Sequence, residues 1–267
     1  MNIKRAKDYL LHLNNLRKAY GNTLLYSALK SKIKLQIIET LPDKRTLVLS
    51  PHPDDDVIGC GGALSLLTKQ NTEVKTVYLT QGSSGSENRL SLSEKKTLGK
   101  TREDEARKAS GEMGVLDVEF WRYKDGDLSS GQAIGKLMKE VLAKYNPEVI
   151  FCPTFQDPHP DHAETIKILY GSMKSMPHFN GEIWMYEVWS PLFANRLLKI
   201  DQYIETKKQA LVSHKSQLSS RSYLDAVLGL ASYRAGMYSA GKYAEAFFVC
   251  NRDLFVSLYE MIERPKK

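Results

Sequence analysis

The chain has 267 residues, 42% of them hydrophobic and 26% charged, enough to bury a core in one generous α/β domain without covalent staples. Its three cysteines, Cys60, Cys152 and Cys250, are odd in number and widely spaced, which excludes a disulfide framework and a Cys-based structural zinc site and predicts reduced thiols in a cytoplasmic protein. The formal charge of +7 sits wholly in residues 1–45, where ten Lys/Arg face three Asp/Glu; the other 222 residues balance at 28 against 28, so no nucleic-acid partner is expected.

Residues 1–45 read as a basic helical extension. Tyr9, Leu10, Leu13, Leu16 and Tyr20 form one amphipathic stripe and Leu25, Leu29, Ile33 and Ile37 a second, separated near Gly21-Asn22, which predicts an N-terminal helical hairpin over residues 1–40. Its charges come too early and too often for a signal peptide, and no run of eighteen apolar residues occurs in the chain. Two readings of the basic faces stand: simple solvation, or peripheral contact with an anionic membrane through residues 1–40.

From Thr46 onward, short apolar β-branched runs alternate with longer helical stretches. That pattern predicts a Rossmann-like α/β domain over residues 46–267, a mostly parallel sheet flanked by helices. Strands are expected at Thr46–Ser50, Val74–Thr80, Val118–Tyr123, Glu148–Pro153 and Glu182–Val188, with a late apolar run at Ala244–Cys250. Gln132–Tyr145 carries a 3.6-residue stripe that stops at Asn146-Pro147, and helical patterns return at Gln202–His214 and Ser222–Ser239. The polar Gly/Ser-rich stretch Gln81–Thr101 is expected to be a long loop shaping a substrate site.

Two polar clusters interrupt this frame. Strand TLVLS runs into Pro51-His52-Pro53-Asp54-Asp55-Asp56, and strand EVIFCP into Asp157-Pro158-His159-Pro160-Asp161-His162 ahead of a helix. Ligands of open α/β sheets bind just outside the carboxyl ends of strands. Three consecutive carboxylates beside a histidine repel one another and lose solvation on burial, so a cation is the economical way to gather them. One such turn alone is equally a solvated acidic turn; two at neighbouring strand ends predict a divalent-metal site. Two imidazoles and one carboxylate suit catalytic Zn2+, and the same triad suits Fe2+. What remains after three ligands, an aspartate at Asp54 and an imidazole at His159, is acid–base equipment and favours hydrolysis.

These residues resemble the PIG-L/LmbE-like de-N-acetylases, whose hallmarks are similar to His52–Asp56 and His159–His162. The likeness extends over most of residues 46–250, through Thr101–Ala106, Met113–Val115, Lys208–Leu211, His214–Gln217 and Tyr243–Phe247. It implies that His52, Asp55 and His162 bind zinc, that Asp54 is the general base and that His159 assists the oxyanion or the leaving amine. Arg102 and Asp125 match positions that look like sugar-binding groups. Asp56 stands where the family usually has Glu, and it and Asp161 are expected only to support the ligands from behind.

The implied activity is hydrolysis of the acetamide of an N-acetylglucosamine-like sugar conjugate. The alternatives are another metal-dependent amide hydrolase, an Fe2+ enzyme on the same ligands, or a non-catalytic carbohydrate-binding protein that kept the fold; an intact Asp54 and His159 argue against the last. Gly59-Cys60-Gly61-Gly62 is not the GxGxxG of a dinucleotide site, and the next strand ends Tyr78-Leu79-Thr80 without an acidic residue for a ribose. His214 is a weaker candidate for the site, and His12 and His178 are expected to be structural or exposed.

Overall fold

Strands β2 (Thr46–Ser50) and β5 (Val149–Pro153) are buried at every residue, as strands covered on both faces must be. Alternate side chains divide between the two faces. Leu47, Leu49, Ile150 and Cys152 join one apolar cluster, and Val48, Val149 and Phe151 join the other. The structure, a computed structural model, describes residues 34–83, 91–128, 132–218 and 223–263.

Eight strands line up in the order β1-β7-β8-β6-β5-β2-β3-β4. The others are β1 (Gln36–Ile38), β3 (Val74–Thr80), β4 (Asp117–Tyr123), β6 (Glu182–Tyr186), β7 (Arg196–Lys199) and β8 (Ala244–Asn251). All pairings are parallel except those of β8, which runs antiparallel to both β6 and β7. Helices α3 (Gln132–Tyr145), α4 (Pro160–Ser175) and α8 (Arg252–Glu263) cover one face. On the other lie α1 (Asp55–Lys69), α2 (Leu92–Glu112), α5 (Ile204–Ser213) and α7 (Tyr223–Tyr238), with the short α6 (Lys215–Leu218) between the last two. No helix of the described residues is long and apolar enough to cross a membrane.

The chain leaves β2 through α1 toward β3 on one side, while β5 pairs with β2 on the other. This reversal opens a crevice at the carboxyl ends of β2 and β5, where both polar clusters stand.

Two expectations need correction. The second amphipathic stripe was to continue as helix to Ile37, but Gln36–Ile38 are β1, paired in parallel with β7, so the sheet draws in a strand from before Thr46. Ile37 and Ile38 suit a short edge strand at least as well as a helix end. The rest of the hairpin, its proposed membrane contact and His12 lie outside the described residues. The loop expected over Gln81–Thr101 gives way at Leu92 to α2, because Ser91 and Glu94 form a reciprocal capping box. The first turns of α2 are largely exposed, so they carry no apolar stripe to betray a helix.

The glycine run serves packing. α1 breaks its helical geometry at Cys60, and the Glu245 carboxylate accepts from the Gly62 and Ala63 amides at 2.8 Å each, capping the second half. A Cβ on Gly62 would stand 2.6 Å from Ile200 Cγ2, and one on Gly59 would enter the ring of Tyr186, whose hydroxyl donates to the Leu49 carbonyl. Gly59→Ala is therefore expected to destabilise by about 1–3 kcal/mol, the usual effect of overpacking. A lowered urea midpoint at unchanged slope would register it.

Candidate metal and catalytic centre

Ser50, the last residue of β2, fixes the first turn: its hydroxyl donates to the His52 carbonyl at 2.7 Å and accepts from the Asp56 amide at 3.1 Å. Thr80 at the end of β3 donates both its amide and its hydroxyl to the Pro51 carbonyl at 2.9 Å. The turn thus hangs between two strand ends, and α1 starts at Asp55. The second turn follows β5. There the Asp157 carboxylate accepts from the amides of His159 and Trp189, both at 3.0 Å, and Pro160 opens α4 with His159 as its N-cap.

These turns bring Asp55, His52 and His162 together. Asp55 Oδ2 lies 3.0 Å from His52 Nδ1 and 3.0 Å from His162 Nε2, and the two nitrogens are 3.3 Å apart. Donors around a tetrahedral ion with bonds of about 2.0–2.1 Å stand about 3.3–3.4 Å from one another, so this triangle fits one face of such an ion. The far nitrogen of each ring rests on a carboxylate: His52 Nε2 is 3.1 Å from Asp161 Oδ2, and His162 Nδ1 is 3.0 Å from Asp157 Oδ2. Backing carboxylates of this kind orient metal-binding imidazoles. Asp161 is steadied in turn by the Gly126 amide at 2.9 and 3.0 Å.

The three imidazoles of His52, His159 and His162 also present donor atoms within 4.8 Å of one another. His159 differs from its neighbours, however, because its Nδ1 accepts from the Asp161 amide at 3.2 Å, leaving Nε2 to carry the proton of the neutral ring.

Charge separates the rings further. Burial disfavours protonation of His52, but Asp55 beside it and Asp161 behind it prevail and raise its pKa to about 10. His162, likewise desolvated, is raised to about 9 by Asp55 and Asp157. Burial would raise Asp55, yet the charges of His162 and His52 hold it well below the usual carboxylate range. His159 goes the other way, lowered by burial and by the charges of His52 and His162.

The remaining candidates fall around this core. Asp54 Oδ1 pairs with Arg102 Nη2 at 3.1 Å, and Arg102 Nη1 donates to the Gly82 carbonyl at 2.7 Å. Arg102, expected to hold sugar, lines the cavity, and its buried guanidinium also pairs with Asp54. Gly82, at φ +65°, donates its amide to Asp125 Oδ1 at 2.7 Å, and a side chain there would meet the Arg102 guanidinium. Asp56 is fully buried, accepts from Tyr78 Oη at 2.8 Å, and is raised by burial to about 7; it supports the turn from behind. His214 is buried, with neither ring nitrogen hydrogen-bonded, and His178 is exposed. The sequence reading missed Asp157, although it opens the second cluster, and Trp189, which stacks on His159 with ring centroids 6.0 Å apart. His52, Asp54, Asp55, Arg102, Asp125, His159 and Trp189 share one cavity of about 510 Å³.

Residues 47–171 match the family model PIG-L, GlcNAc-PI de-N-acetylase. A diacetylchitobiose deacetylase of Thermococcus kodakarensis is 29% identical over 212 residues, which is 72% of this chain and 77% of that protein. A probable N-acetyl-alpha-D-glucosaminyl L-malate deacetylase 2 of Bacillus anthracis is 24% identical over 194 residues, 67% of this chain and 84% of that one. Among solved structures, the N,N'-diacetylchitobiose deacetylase from Pyrococcus horikoshii superposes with a TM-score of 0.69 at 25% identity, covering 79% of this chain and 85% of that one.

The raised imidazoles predict a proton count. At pH 7 His52 and His162 are protonated in the metal-free protein, so Zn2+ entering between them should displace about two protons per site, and its affinity should rise as pH climbs toward about 9–10. Calorimetric titration in buffers of different ionisation enthalpy measures the release; zero net release at pH 7 would contradict this charge arrangement.

Proposed function

We propose, from the match of residues 47–171 to the PIG-L family model, that this chain is a zinc-dependent N-deacetylase acting on the acetamide of an N-acetylglucosamine-like conjugate. The observation that carries the reading is the triangle of Asp55 Oδ2, His52 Nδ1 and His162 Nε2, with Asp54 and His159 beside it in one cavity. The names of the three relatives given above, deacetylases of diacetylchitobiose and of an N-acetylglucosaminyl malate, support the substrate class.

In this reading His52, Asp55 and His162 would hold the cation, with Asp157 and Asp161 beside the far nitrogens of the two rings. A divalent cation bound there would supply a water of lowered pKa, about 7, and a Lewis acid for the carbonyl. Asp54, kept in place by Arg102, accepts the proton of the attacking water. The Nε2–H of His159, on the same cavity, would donate a hydrogen bond to the developing oxyanion, and the proton taken up by Asp54 would pass to the amine as the C–N bond breaks. Acetate and a free amino sugar leave. Asp125 and Trp189 line the same cavity, and in this reading the Asp125 carboxylate would accept from a sugar hydroxyl while the Trp189 ring, 43% exposed, would meet an apolar face of the pyranose.

Purified protein is expected to carry about one zinc per chain and to lose activity on chelation. His52→Ala should abolish zinc retention and turnover together. Asp54→Asn should keep the metal and the fold while acetate release falls about 10²-fold or more. His159→Gln should also keep the metal; loss of zinc in that variant would instead make His159 a ligand. Acetate release near the wild-type rate from Asp54→Asn would remove Asp54 as the base.

A further inference from the structure

The cavity continues well beyond the metal-side cluster. On α7 its wall is Tyr223, Ala226, Val227, Leu230 and Ala231, spaced i, i+3, i+4, i+7 and i+8, so a single helix face lines it for about 12 Å at 1.5 Å per residue. On the sheet side it reaches Ala244 and Ala246. Because β8 runs antiparallel, its first residues lie at the same end of the sheet as the carboxyl ends of β2 and β5. They lie three strands from β2, about 14 Å at the usual strand spacing. One acetamido sugar seated at Asp54 and His159 leaves this length unfilled.

The charges along the arm are spent on one another. Glu245 Oε1 accepts from Lys207 Nζ and from the Gly62 amide, Oε2 accepts from the Ala63 amide, and Lys207 also donates to the Ile58 carbonyl at 2.9 Å. Glu187 is paired with Arg234 and accepts from the Leu192 amide at 2.7 Å. Between these pairs the arm turns mainly aliphatic surface from α7 and β8 toward a ligand, with Ile58 and Val188 on the way in and the polar groups of Tyr223 and Gln217 at its margin.

We propose that this arm is a binding site for an apolar aglycone, an alkyl or acyl group attached to the amino sugar, and that Ala226, Leu230 and Ala231 determine that preference. A second pyranose would place several of its hydroxyls against the aliphatic faces of Ala226, Leu230, Ala231, Ala244 and Ala246, which is unfavourable for each group left without a hydrogen bond there. An alkyl chain loses nothing there and is withdrawn from water along the whole helix face. The inference rests on the deacetylase reading only for the identity of the sugar end.

The test compares acetate release from methyl, butyl and hexyl β-glycosides of N-acetylglucosamine and from N,N'-diacetylchitobiose. In parallel, hexyl β-glucoside, which has no acetamide, is titrated against the zinc-loaded protein by Trp fluorescence. The expected result is a kcat/KM that rises about three- to fourfold per buried methylene, exceeds that of diacetylchitobiose by the hexyl member, and accompanies saturable binding of hexyl glucoside. Leu230→Asp, at a half-buried position, and Ala226→Asp, at an exposed one, should flatten the alkyl series and weaken hexyl glucoside at least tenfold. A flat wild-type series, or diacetylchitobiose as the better substrate, overturns the proposal while leaving deacetylation intact. If no glycoside releases acetate, the deacetylase reading fails, and hexyl glucoside binding with its loss in Leu230→Asp still decides whether the arm takes an alkyl group.

Discussion

Asp55 is 2% exposed, and burial by itself would drive its carboxyl toward the neutral form. Its charge survives because one oxygen sits 3.0 Å from an imidazole nitrogen of His52 and 3.0 Å from one of His162. Breaking up a buried, mutually compensated set of charges typically costs about 3–5 kcal/mol, because one partner is left stranded. The two turns are therefore not independent: the first needs the imidazole of the second to keep Asp55 charged, and the second needs Asp55 to keep His162 where Asp157 holds its far side. The packing of α1 and α4 on opposite faces of the sheet supplies the fixed strand ends from which both turns hang.

That dependence accounts for much of the local architecture. The His52 amide donates to Asp55 Oδ2 at 2.8 Å, so the carboxylate is held by backbone as well as by rings. Ser50 and Thr80 hold the backbone around it, Tyr78 holds the neighbouring Asp56 carboxylate, and Gly82, Asp125 and Gly126 of the neighbouring loops brace Arg102 and Asp161. The kink of α1 at Cys60 follows from the same requirement. A helix that begins at Asp55 and must pass close to Tyr186 and Ile200 needs the glycines at 59 and 62, and its broken turn takes Glu245 as a substitute cap. Lys207 then neutralises Glu245, and a buried ion pair results some distance from the chemistry.

The strands and the two His/Asp clusters were legible because a buried parallel strand is nearly pure β-branched and aliphatic sequence, and a polar run at its end stands out against it. Other features gave the sequence little to display. Asp157 lies inside a cluster that was read, but only the fold shows which side of His162 it faces. The pairing of Arg102 with Asp54 and with the Gly82 carbonyl was equally hidden, because it is fixed by long-range packing. β7 is four residues long and β1 three, below the length at which period-2 alternation can be told from a helix end. α2 declared itself only through Ser91 and Glu94, a local signal outweighed by the polarity around it. The arm along α7 was illegible for a different reason: alanine, valine and leucine at helical spacing read as core, and nothing in the sequence says that the space in front of them is open.

Three imidazoles within 4.8 Å of one another would be expected to behave alike, and their environments divide them. Carboxylates stand at both nitrogens of His52 and of His162, so each ring is held protonated unless another cation takes the proton's place. His159 has a backbone amide at Nδ1 and its two charged neighbours nearby, so it stays neutral with its proton on Nε2. A site in which identical side chains are pushed in opposite directions has its acid–base roles assigned by surroundings rather than by residue type. In the proposed chemistry that division puts the cation where two protons would otherwise sit. It leaves a neutral donor at His159, on the same cavity as the carboxylate of Asp54. In that proposal the donor and the base are held apart: Arg102 engages Asp54, the Asp161 amide engages His159, and the triangle of Asp55, His52 and His162 stands alongside both.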